Sequence, residues 1–284
     1  MSEKDRDAIM AKTRKLKFRS RPPPPGSRKC HPRIKSSNGK CLPKPILDKI
    51  RVVGRKGGYS GNGTVTPDER KMVEQSSLNE SEKQKILKTY FRPKMPEGWK
   101  SDPDMWLNSD DIQNVMKQYE EAHPDFHFLG VVPIDFSAPD PYVKDVKKCM
   151  NPQFCNINIQ DMKANGVKYI GAIFNLDPHF KGGSHWVACC INIPKNGIYY
   201  FDSYGMEPPE QVAVFMKSFL LQNPNFKLAS NGNRFQYGNS ECGMYSCFFL
   251  IRMIMGESFA HFCHNPVSDK WMLEFRKVLF DAQE

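Results

Sequence analysis

The chain reads as an α+β protein, and three features predict that class. Segments dense in β-branched and aromatic residues cluster between residues 167 and 202, one later segment is apolar on nearly every side, and amphipathic helical stretches lie outside both. Val167 to Leu176, His185 to Ile193 and Ile198 to Asp202 are the expected strands. Pro194-Lys195-Asn196-Gly197 is turn chemistry, so the second and third strands should form a hairpin. Cys242 to Met255 (CGMYSCFFLIRMIM) has no polar face, which predicts a buried helix, and Gly256 ends it.

The outer helices follow from periodicity and end signals. Residues 77–91 start acidic and end basic, with Pro93 and Pro96 beyond. In 109–121, Ile112, Val115, Met116 and Tyr119 fall on one face, and Ser109 is placed to cap it. Residues 209–222 read as a third helix and about Ser268 to Asp281 as a last amphipathic one. Residues 226–236 read as extended, with a kink at Asn231-Gly232.

Residues 1–66 are different. They hold 18 Lys and Arg against 4 Asp and Glu, a net of +14, while the whole chain is +10, so the remainder carries −4. Rich in Pro, Gly and Ser, they have few large apolar groups to offset the entropy of ordering. The expected organisation is a basic, mostly disordered arm over 1–66, helical only around Cys41 to Val53. A helical lead-in over 67–99 and a main domain over 100–284 follow.

No apolar run approaches the roughly 18 residues of a membrane helix; the best, Phe248 to Ile251, is cut by Arg252. The charged N-terminus lacks the apolar core of a secretory signal. Nine cysteines, an odd number, with several in apolar segments, argue for free thiols in a reducing, intracellular setting.

Four residues in the second half form a chemical set. Peptide cleavage by a thiol needs a thiolate, an imidazole to protonate the leaving amine, a group to orient that imidazole, and donors for the oxyanion. Cys242 opens the buried helix, where the N-terminal dipole favours a thiolate, and Gly243 removes side-chain bulk where a substrate backbone would pass. His185 follows Gly182-Gly183-Ser184 at a strand edge. Asp202 ends the next strand of the hairpin, which can bring it beside His185. Gln236 offers a neutral amide donor six residues before the thiol. Singly, each has an ordinary reading: an inert thiol, a surface histidine, a turn acid, a loop amide. Their combination carries the argument.

His185-Trp186, Phe201-Asp202-Ser203 and Gln236 to Tyr245 (QYGNSECGMY) resemble the HW, (V/F)DS and Q-x5-C-G-x-Y motifs of the ubiquitin-like-protein (SUMO) protease clan of cysteine proteases. Trp106 to Ile112 (WLNSDDI) resembles the clan's W-L-x-D-x-x-I, with the acid displaced by one. The likeness covers about residues 100–255. It implies a papain-like α+β fold with a central mixed sheet and a buried helix headed by the nucleophile. It also implies Cys242 as nucleophile, His185 as acid and base, Asp202 as orienter and Gln236 as oxyanion donor. Trp106 and Trp186 would form a slot that admits glycines and rejects side chains, giving cleavage after Gly-Gly. No metal or organic cofactor is implied. Phe128 to Phe136 (FLGVVPIDF), with the short chain and basic arm, resembles members from large cytoplasmic DNA viruses. That implies processing of structural precursors during virion maturation, in the virion and host cytoplasm.

Two other substrate classes fit the same set: a ubiquitin-like protein on a host target, or an acyl donor for a transferase. A non-catalytic nucleic-acid-binding scaffold would not need all four residues. The arm offers non-specific phosphate contacts; with only Phe18 and Tyr59 as aromatics, base stacking is minor there. The tetraproline Pro22 to Pro25 is a weak SH3-type signal, and Gly57-Gly58 offers a self-cleavage site. Cys30, His31 and Cys41, like His261, Cys263 and His264, do not complete a tetrahedral zinc site. Cys189 and Cys190 must face opposite sides of their strand.

Overall fold

The structure, a computed structural model of the chain, describes residues 29–35, 40–55, 68–139 and 149–281. In chain order its elements are α1 (Lys44–Arg55), α2 (Glu69–Glu74), α3 (Glu80–Tyr90), a 3₁₀ turn (Glu97–Lys100), α4 (Ser109–Ala122), β1 (Phe126–Pro133), α5 (Pro152–Cys155), α6 (Ile159–Ala164), β2 (Tyr169–Asn175), β3 (Trp186–Asn192), β4 (Gly197–Phe201), α7 (Glu210–Gln222), β5 (Lys227–Ser230), α8 (Cys242–Ile254), α9 (Phe259–His264) and α10 (Asp269–Leu279). Among the described residues no helix is long and apolar enough to cross a membrane.

The strands form one mixed sheet in the order β1-β2-β3-β4-β5. The two outer pairings are parallel and the two inner ones antiparallel. β3 is central and wholly buried, and its alternation builds a three-layer molecule. Trp186, Ala188 and Cys190 face the core made with α4, α8, α9 and α10. Val187, Cys189 and Ile191 face Val212, Phe215, Met216 and Phe219 of α7. Cys189 and Cys190 therefore lie on opposite faces, as their adjacency requires. The expected hairpin is β3–β4, closing at Asn192 opposite Gly197, with Asn196 at φ 47°.

Several elements differ from expectation. β1 was not among the expected strands, because Gly130 and Pro133 interrupt its pattern. The register with β2 shifts between Phe128 and Gly130, and Gly130 supplies a φ of 129° at that bulge. The extended segment after α7 is a strand only over Lys227–Ser230. Helix α4 is capped by Asn108, not Ser109, in a reciprocal box with Asp111. The displaced acid of the WLNSDDI stretch, Asp110, is the second helical residue, and Asp111 beside it completes the cap. Helices α2, α5, α6 and α9 span four to six residues each, too short for a periodic signal.

The N-terminal expectation needs two corrections. The described parts of the arm do not stand apart from the folded chain. Cys30, Cys41, Leu42 and Ile50 form one apolar cluster with Val73, Leu78, Ile86 and Phe91, so a boundary at 66/67 cuts through a packed unit. Pro22 to Pro25 and Gly57-Gly58 lie outside the described residues. Nor are all cysteines thiols: Cys30–Cys41 and Cys149–Cys155 are disulfides. Cys30 and Cys41 are thereby removed as zinc ligands. The unit is fastened to α4 through Gln118, whose amide donates to the Phe91 carbonyl at 2.7 Å. It is fastened to the chain end through the Arg70–Asp281 ion pair.

Candidate active site

Three loops and one helix end converge at one edge of the sheet. Cys242 is the first residue of α8, whose residues are buried except Arg252. The segment before it is held by Asp269 at the start of α10, which accepts from the Tyr237 and Gly238 N–H groups at 2.9 Å each.

His185 stands one residue before β3. Its loop is closed by Asn175 Oδ1, which accepts from Asp177 N at 2.9 Å and Ser184 N at 3.3 Å. Gly183 has φ 90°, and a Cβ there would lie 2.6 Å from the Asn175 amide. This position therefore requires glycine on both counts.

Asp202 follows β4 directly. The pairing of Ala188 with Phe201 sends both chains to the same edge, where His185 Nε2 and Asp202 Oδ1 are 2.7 Å apart. Asp202 Oδ1 also accepts from Tyr204 N at 2.8 Å. Asn231 grips the backbone of Asp202 from both sides: its Oδ1 accepts from Asp202 N at 2.9 Å and its Nδ2 donates to Asp202 O at 2.6 Å.

With Nε2 on Asp202, the imidazole has Nδ1 left over, and the Cys242 side chain lies near enough to act on the charge of the ring. Burial pushes His185 down, but the hydrogen bonds and charges of Asp202 and Cys242 outweigh it and raise the group to about 9. The ring is therefore an imidazolium at neutral pH. Tyr204 stacks on it, centroids 4.7 Å apart and planes 14° from parallel.

Gln236 is fully buried. Its Oε1 accepts from Ser203 Oγ at 2.7 Å, which fixes the amide so that Nε2 points the other way. That nitrogen has no hydrogen-bond partner among the described residues. A buried donor without an acceptor is costly unless something supplies one.

Trp186 is buried, and its indole N–H donates to Leu107 O at 3.1 Å. Trp106, next to Leu107, is 40% exposed. Gly243 has a different role from the one expected. A Cβ there would meet Leu107, Trp186 and Ile112 at 3.2–3.3 Å, so the space it clears is taken by the core and not by a passing substrate.

His185 is thus hydrogen-bonded to Asp202 and interacts with Cys242, and Gln236 is tied to Asp202's neighbour. Sequence reasoning missed Ser203, Tyr204 and Asn231. Ser203 lay inside the FDS motif without a role, and Asn231 was read only as a kink. Among the described residues no cluster of His, Cys, Asp and Glu is placed to hold a metal.

Residues 140–284 match the profile described as the Ulp1 protease family, C-terminal catalytic domain. The chain belongs to the Ulp1 protease family. It is 36% identical over 208 residues to a thiol protease of Acanthamoeba polyphaga mimivirus, covering 71% of this chain and 64% of that one. It is 32% identical over 172 residues to the SUMO-1 cysteine protease of African swine fever virus, covering 58% of each. The matched stretches thus span less than two thirds of these relatives. The crystal structure of the African swine fever virus protease superposes with a TM-score of 0.67 at 21% identity, covering 94% of this chain and 98% of that one. At that identity the superposition is a likeness of fold. As an Ulp1-family fold, the chain is the α+β architecture with a mixed sheet that its sequence implied.

Proposed function

We propose that this Ulp1-family chain is a cysteine endopeptidase that cleaves after Gly-Gly and processes structural precursors of a virus. The observation that carries it is the buried His185, hydrogen-bonded to Asp202 and raised in pKa by Asp202 and Cys242, with the buried amide nitrogen of Gln236 left without a partner among the described residues. In this reading Cys242 Sγ attacks the scissile carbonyl as the thiolate of a thiolate–imidazolium pair. The carbonyl oxygen takes the negative charge, and Gln236 Nε2 gains the acceptor it lacks. His185 then gives its proton to the leaving amine as the C–N bond breaks, leaving a thioester. A water, deprotonated by the now neutral His185, attacks that thioester and releases the new carboxylate and the thiol. Asp202 holds the ring in the orientation both steps need.

Glycines at the cleaved end are what a slot walled by Trp106 and Trp186, as the resemblance of their motifs implies, would admit. That these two relatives are viral supports a viral source, and location in virion and host cytoplasm is part of the proposal. The printed name of the African swine fever virus relative, a SUMO-1 cysteine protease, favours one second reading: a ubiquitin-like protein as substrate. The basic segment 1–66 would add salt-sensitive contacts to nucleic acid.

The test is incubation of wild type and Cys242→Ala with Gly-Gly-X peptides and with SUMO and ubiquitin fusions. Cleavage of short peptides by wild type alone is expected. Cleavage confined to folded fusions would select the deconjugating reading, and cleavage by Cys242→Ala would refute the assignment.

A further inference from the structure

The last helix of the chain carries none of the residues just assigned to chemistry, yet it touches both segments that shape the proposed substrate slot. Arg276 of α10 is 4% exposed. Its Nε donates to Glu241 Oε2 at 3.0 Å, and a terminal nitrogen pairs with the other oxygen of that carboxylate. The same guanidinium donates to Pro103 O at 2.7 Å and Met105 O at 3.2 Å. It lies 4.1 Å over the centroid of Trp99, whose indole N–H also donates to Met105 O, at 2.9 Å. One planar fork thus joins three chain segments with fixed geometry.

The two anchored ends matter. Glu241 directly precedes Cys242. Met105 and Leu107 flank Trp106, and each has its carbonyl pinned: Met105 O by Arg276 and Trp99, Leu107 O by Trp186. The backbone under Trp106 is therefore fixed on both sides while its indole stays partly exposed. A slot that separates glycine from alanine must discriminate one methyl group. That requires its walls to hold position to well under the size of that methyl. A loop without this clamp would yield.

We propose that Arg276 is a specificity-determining positioning residue, fixing the segment that carries Trp106 relative to Cys242 by tying residues 103–105 to Glu241. This rests on the proteolytic reading above. Arg276 touches no reacting atom, and its loss should loosen selectivity more than chemistry.

Two variants test it: Arg276→Lys, which keeps the charge and loses the fork, and Glu241→Gln/Arg276→Met, which leaves no uncompensated buried charge. The first readout needs no catalysis. In protein carrying 5-fluorotryptophan at its four Trp positions, the Trp106 resonance, assigned by Trp106→Phe, should shift or broaden in both variants. The second is the ratio of kcat/KM for paired peptides with Gly or Ala before the scissile bond. That preference should fall by roughly tenfold or more, while the pH profile of Cys242 alkylation stays put. An unchanged Trp106 resonance would overturn the proposal. So would equal losses on both peptides, which mark a merely structural role. Wild type that alkylates normally but cuts neither peptide would defeat the proteolytic reading, and the slot with it, even with a shifted resonance.

Discussion

At His185 two forces oppose each other. Burial disfavours the imidazolium, and Asp202 and Cys242 favour it strongly enough to raise the group to about 9. Two outcomes follow. The rate of peptide cleavage should fall along a limb near pH 9, because the proton for the leaving amine is lost as the ring deprotonates. A pH–rate profile of kcat/KM checks this, and a falling limb near 6.5 would show that the ring is not held by its partners. The sign for stability is the same. A raised histidine contributes fully below its unfolded value near 6.5 and loses that contribution as pH rises towards 9. Denaturation midpoints should therefore decline over that window in wild type and less so in His185→Ala. Asn231 belongs to this scale too. Asn231→Ala removes both contacts to the Asp202 backbone and leaves buried groups unpaired, at about 1–3 kcal/mol. Peptide assays should show a lower kcat with little change in KM, since the residue sets the orienting acid and not the substrate slot. These roles were only partly legible in sequence. His185, Asp202, Gln236 and Cys242 stood in recognisable motifs. Asn231 lies 29 residues from the acid it holds, and no local pattern announces such a partner.

The elements differ in how plainly they announce themselves. Helix α8 is apolar all round because it runs between the sheet and helices α4, α9 and α10, and its composition alone predicts burial. Strand β1 is masked by Gly130, whose positive φ is required at the bulge, so a local backbone need overrides strand propensity. Gly243 marks where an element's packing corrects a chemical guess. Leu107 Cβ cannot retreat without its backbone, and Trp186 is held to Leu107 O. Gly243→Ala should therefore destabilise the fold by about 1–3 kcal/mol, read from urea unfolding. An alanine variant of full stability with a raised KM would restore the expected role in substrate passage.

At the scale of the molecule, the described parts of the N-terminal segment belong to the folded body. Cys30 and Cys41 close a short loop, 11 residues apart, and cover the cluster of Val73, Ile86 and Phe91. Chain-entropy arguments give such a crosslink about 2–3 kcal/mol. Cys30→Ser/Cys41→Ser should lower the denaturation midpoint accordingly, without altering the alkylation of Cys242. Identical unfolding curves for variant and parent would show that packing alone holds the segment. Removing residues 1–66 should cost more, because it uncovers that cluster, and the truncated chain should aggregate or unfold at lower denaturant.

The class of fold, the hairpin, the buried helix and the four residues proposed for chemistry were all legible in the order of residues. Each is written in local patterns: alternation, turn residues, an unbroken apolar run and short motifs. The fold alone reveals that residues around Cys30 and Cys41 to Ile50 pack onto the body, that four of the nine cysteines pair, and that Arg276 and Asn231 hold their partners from far along the chain. Those outcomes depend on which surfaces meet. A buried guanidinium or amide reveals its role only through the carbonyls and carboxylates that folding brings to it.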